Sequence, residues 1–119
     1  MPATTFRHGD PIMIDHTPAG GDVAAGDVVL LGNTTSPTCG VCHTAITNNT
    51  LGALAASGGV YSCVNLNNAA DYALVYWDFA GATEKVTTTG TNNAKFGFVV
   101  RDGGGGANSS CYVLHQPLA

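Results

Sequence analysis

Apolar residues fall along this chain in short clusters broken by Gly, Asn, Thr and Pro, and in several clusters they alternate with polar ones. Period-two alternation and short β-branched runs bounded by turn residues predict strands rather than helices. After the turn chemistry of "PAGGDVAAGD", Val28 to Leu31 reads as a buried strand stopped by Gly32-Asn33. "TCGVCHTAI" is a second extended candidate, with turn residues in "TNNT" behind it. "LGALAASGGVYSCVN" predicts one or two strands, with Gly58-Gly59 as a break or bulge. "YALVYWDF" is the strongest strand, and "KVTTT", "KFGFVVRD" and "CYVLHQ" follow, the last after the loop "GGGGANSS". A helix fits only around "LGALAA", where flanking glycines oppose it. Seven or eight short strands at spacings of about ten residues predict a small single-domain all-β barrel or sandwich.

The first 21 residues break this pattern. They are polar, carry Pro2, Pro11 and Pro18, and end in a glycine turn. They read as an extended N-terminal arm, with Ile12-Met13-Ile14 able to pair as one edge strand, ahead of a β domain over residues 22–119. No internal repeat is visible, and a single domain is expected.

Composition narrows the partners. The 119 residues are 45% hydrophobic but only 10% charged, against roughly a quarter charged in an ordinary soluble domain. The surface must then rest on Thr, Asn, Ser and Gly, or be covered by other protein. Four Lys plus Arg against eight Asp plus Glu leave a net charge of −4, which cannot neutralise a run of phosphates, so no nucleic-acid partner is expected. No apolar run approaches the roughly 20 residues of a membrane helix. The N-terminal stretch lacks an apolar segment flanked by basic residues, so synthesis in a reducing cytoplasm is expected, where disulfides are uncommon.

One motif invites chemistry. Cys39, Cys42 and His43 spell C-x-x-C-H, the spacing that attaches a c-type haem, and the same positions suit a zinc pair or a redox dithiol. An extended chain, however, sets Cys39 and Cys42 about 10 Å apart on opposite faces, beyond the ~7 Å reach of a disulfide. Zinc lacks a second C-x-x-C, because Cys63 and Cys111 are single and far apart. The four cysteines Cys39, Cys42, Cys63 and Cys111 are therefore read as structural thiols on strands. Any bridge among them is expected to join distant strands, such as Cys63 to Cys111. "GGGG" lacks the Lys-Ser/Thr of a phosphate loop, and no serine sits in a nucleophile signature. No catalytic residue, metal or cofactor is expected. A small redox or c-type haem protein, or a free-standing ligand- or zinc-binding β module, stays as an alternative.

The blocks "GDPIMIDHTPAGGDVAAGDVVLLGN", "CGVCHTAITNNTLGALAASGGVYSC", "ALVYWDFAGATEKVTTT" and "AKFGFVVRD", in this order, resemble the small capsid cement (decoration) proteins of tailed phages. The likeness covers most of residues 9 to 102. It departs in the four cysteines, the Gly103 to Gly106 loop and the "SSCYVLHQP" tail. The resemblance implies a β-tulip-like fold and a non-enzymatic protein on the outer capsid surface of the virion. It further implies binding to the major capsid protein and a homotrimer at three-fold and quasi-three-fold positions. In that setting the arm would be the capsid-binding element, with Phe6, Ile12 and Ile14 as apolar anchors and Arg7, Asp10 and Asp15 as polar partners. Such an arm can bind by adding a strand to a capsid edge.

Overall fold

The computed structural model describes residues 3–32, 38–102 and 106–117. The Asn33 stop and most of the Gly103 to Gly106 loop lie outside the described residues. Ten strands run through the rest, with no helix among them: β1 (Thr5–His8), β2 (Ile12–His16), β3 (Val28–Leu31), β4 (Thr38–Cys42), β5 (Gly52–Ser57), β6 (Val60–Asn65), β7 (Leu74–Trp77), β8 (Val86–Thr87), β9 (Ala94–Asp102) and β10 (Ser109–His115). The all-β expectation holds, and "LGALAA" is strand rather than helix.

Two sheets form. The larger runs β1-β6-β10-β9-β7-β8, and a parallel bridge from Asn65 to Val86 brings β8 back to β6. That closure makes a five-stranded barrel of β6, β10, β9, β7 and β8, with β1 laid along the outer side of β6. The smaller sheet runs β2-β5-β4-β3 and is antiparallel throughout.

Side-chain alternation explains the core. On β6, Tyr61, Cys63 and Asn65 are buried while Ser62 and Val64 are only partly so. On β10, Cys111, Val113 and His115 take the buried positions. One continuous core joins Tyr61, Val75, Trp77, Val86, Phe96, Val99 and Val113 of the barrel to Cys39, Val41 and Ala55 of the smaller sheet. Each large side chain so buried contributes about 1.5–3 kcal/mol. Cys42, Ile46 and Leu54 form a second, smaller cluster beside Val23, Val29 and Leu31. Strand β4 is thereby buried on both faces.

Two corners pass the chain between sheets, and both need glycine. Gly58 and Gly59 have φ of 88° and 87°, a left-handed conformation that costs other residues free energy. A Cβ on Gly9 would come within 2.9 Å of Gly59 Cα. The β1–β2 corner therefore sits directly against the β5–β6 corner, and β1–β2 runs beside β5–β6 through both sheets.

The N-terminus, expected as an extended arm with one edge strand, is built into both sheets. Two strands form there instead of one, and each is paired: Phe6 opposite Tyr61, and Ile14 opposite Leu54. The backbone of Thr4 donates to the Gly26 carbonyl at 3.1 Å, and its hydroxyl donates to the same oxygen at 2.8 Å. The remaining boundaries are close to expectation, except that "KVTTT" yields only the two-residue β8.

Candidate docking surface

The C-x-x-C-H motif comes apart in space. Cys39 points into the main core and Cys42 into the smaller one, as alternation along β4 requires. The Cys39 thiol donates to the Lys95 carbonyl at 3.5 Å, and burial pushes it up to about 12. The Cys42 thiol donates to the Thr44 carbonyl at 3.1 Å and is also raised, first by burial and then by the nearby Asp27 charge. His43 turns away to Tyr61, its Nε2 lying 2.6 Å from the hydroxyl. Thiols on opposite faces of a strand cannot share one haem edge or one zinc ion, so the opening constellation offers no joint site. Both thiols are protonated near neutral pH, and neither is a nucleophile as it stands.

His115 is deeply buried between the Tyr61 and Phe96 rings. Its Nε2 donates to the Cys39 carbonyl at 3.1 Å, while Nδ1 has no hydrogen-bond partner. Burial lowers its pKa to about 4, so the ring is neutral at pH 7. It acts as a tie between barrel and sheet.

The unusual features lie on the surface. Strand β2 forms one edge of the smaller sheet, and its first four residues are all exposed. Ile12 is 66% exposed, with Met13 and Ile14 beside it, whereas an ordinary strand buries every second side chain. Met13 also lines a groove of about 340 Å³ with Ile46, Leu51 and Ala53, and Leu51 is itself 66% exposed. An apolar strand at a sheet edge is an association hazard that proteins usually blunt. Here Asp10 and Pro11 precede the apolar run and Asp15 follows it.

The six residues expected to act together divide into two groups. Ile12, Ile14 and Asp15 share β2, with Asp10 in the corner before it. Phe6 and Arg7 lie on β1, at the edge of the other sheet. The Phe6 ring packs 4.7 Å from His43 and 5.5 Å from Tyr61. The Arg7 guanidinium sits 4.7 Å over the Tyr112 ring, so part of its role is to hold β1 on the barrel. Four exposed apolar residues fell outside the sequence expectation: Met13, Leu51, Tyr72 and Leu74. Tyr72 is 75% exposed and has φ of 67°, a conformation costly for a bulky residue. No pattern in "NNAADYAL" signals it. Leu74 starts a row that continues to Phe98 and Leu114 across β7, β9 and β10.

Fold and surface together define a small all-β module of the structural kind, distinguished by strand edges and exposed apolar side chains. The sequence assigns it more narrowly. The profile of the phage cement proteins matches residues 6–114, and the chain belongs to that family. Membership ties it to the phage capsid and points away from an enzyme. Neither the curated proteins nor the solved structures contain a match to this chain.

Proposed function

We propose that this chain binds the outer surface of the major capsid shell as a trimer, at three-fold and quasi-three-fold positions, and stabilises the head. The observation that carries the reading is the edge strand β2, which offers Ile12, Met13 and Ile14 together with unpaired backbone groups along its outer side. A capsid strand laid along it would gain main-chain hydrogen bonds and cover the apolar side chains. The neighbouring Met13–Leu51 groove would take one further anchor. Tyr72 and Leu74 lie on the other sheet's side and suit contact between copies, separate from the capsid contact. A net charge of −4 suits an outer face that never meets the packaged nucleic acid.

Co-sedimentation with undecorated capsids tests the reading. The full chain should sediment with capsids, and Ile12→Asp should reduce its affinity by about tenfold, the loss of one buried anchor. Equal binding by the variant, or no binding by the parent, would contradict it.

A further inference from the structure

Cys63 and Cys111 face one another across β6 and β10, inside a register that runs without a shift from Ser109 opposite Asn65 to Leu114 opposite Val60. Directly opposed residues of an antiparallel pair have Cα atoms about 4.5–5.5 Å apart, and a disulfide spans about 4.4–6.8 Å. Both side chains are buried in the core, and each thiol is the first influence on the other's titration, raising Cys63 and lowering Cys111. The other two thiols are engaged elsewhere, with the carbonyls of Lys95 and Thr44. Both residues are almost closed to solvent, Cys63 at 4% and Cys111 at 1% exposed, and the nearest opening lies on the Cys111 side. Cys111 lines an open depression of about 300 Å³ with Arg101, Asp102, Ser110 and Tyr112, and Cys63 does not.

We propose that Cys63 and Cys111 form a redox-active dithiol, closed into a covalent staple by a small disulfide of the glutathione type that enters beside Arg101. The Cys111 thiolate attacks one sulfur of the reagent, whose S–S bond breaks and releases one thiolate. Cys111 is then held in a mixed disulfide. Cys63 passes its proton to the released thiolate and attacks the Cys111 sulfur, expelling the second thiol. The proton that Cys111 gave up on ionising goes to the second leaving sulfur, so the protein loses two protons and two electrons in all and the reagent leaves as two thiols. The bridge closes a loop that contains β7, β8 and β9 and fixes β6, the strand that also carries β1 and β8. Constraint on a chain segment of this length stabilises the folded state chiefly by restricting the unfolded one. The inference does not depend on the capsid reading.

The test uses the reduced full-length chain and glutathione disulfide. One sample is treated while folded, and another is refolded from denaturant in the same buffer. Remaining thiols are then alkylated in denaturant and the peptides mapped by mass spectrometry. Both samples should lose two thiols, link Cys63 to Cys111, and alkylate at Cys39 and Cys42. Tm should rise on the order of 10 °C and fall back with reductant. Cys63→Ala should trap one glutathione on Cys111, and Cys111→Ala should trap none on Cys63. Four free thiols after both treatments, a bridge between any other pair, or a Cys63→Ala chain that takes up no glutathione would overturn the proposal.

Discussion

His115 Nε2 lies 3.1 Å from the carbonyl oxygen of Cys39, and this contact joins the last barrel strand to the middle of the smaller sheet. A protonated imidazole would put a charge among the Tyr61 and Phe96 rings, which is why burial lowers the pKa to about 4 from the ordinary 6.5. As pH falls below 6.5, the unfolded chain takes up this proton before the folded one. Stability from this group is therefore full above pH 6.5 and declines as pH falls toward 4, by about 3 kcal/mol in all. His43, lowered by the same cause, acts in the same direction. Urea melts from pH 7 to pH 4 should show the loss, and His115→Gln should flatten the slope in that window.

Asn65 supplies a second internal tie. Its side-chain amide donates to the Ala69 carbonyl and its oxygen accepts from the Ala69 amide, both at 3.0 Å and both buried. Asn65→Ala leaves one buried donor and one buried acceptor unpaired, and should cost about 3 kcal/mol. Chemical denaturation of the purified variant measures this directly.

Gly97 marks the closest approach in the barrel. A Cβ there would stand 1.7 Å from the Leu114 carbonyl oxygen, inside the β9–β10 ladder where Gly97 pairs with His115, and beside a register shift against β7. No rotamer relieves a clash with backbone. Gly97→Ala should therefore destabilise by more than about 3 kcal/mol or yield insoluble protein, while Gly20→Ala, with nothing within 4 Å, should be neutral. A variant at Gly97 that melts like the parent would mean that β9 and β10 are spaced differently.

The exposed edge should be functional rather than stabilising. Ile12 buries little of its side chain, so Ile12→Asp should change folding stability by less than about 0.5 kcal/mol. Thermal melts of the same preparation used for capsid binding separate the two effects. A large drop in Tm would make the variant's binding loss uninformative and would show that β2 contributes to the core.

The barrel was legible in the sequence because its strands obey a local rule. Inward Tyr61 and Cys63, and inward Cys111 and Val113, recur at period two between recognisable turns. Of the N-terminal strands, β2 was legible as an edge strand from Ile12-Met13-Ile14, but its partner was not, since Ile14 pairs with Leu54 some 40 positions away. Strand β1 was hidden by its short length and by a partner some 55 positions away, Tyr61 opposite Phe6. Ile12 and Ile14 were legible as apolar anchors, but Leu51 lies beyond the reach of any local pattern, since its groove is formed with Met13. The divergence of Cys39 and Cys42 followed from strand geometry alone. That Cys63 should fall directly opposite Cys111 required the register, which only the folded pairing supplies.

Cryo-electron microscopy of undecorated capsids mixed with the full chain tests the central claim most directly. The account predicts three copies around each local three-fold axis, on the outer surface, with β2 turned toward the major capsid protein. Density with one or two copies there, or with β2 facing solvent, would contradict it.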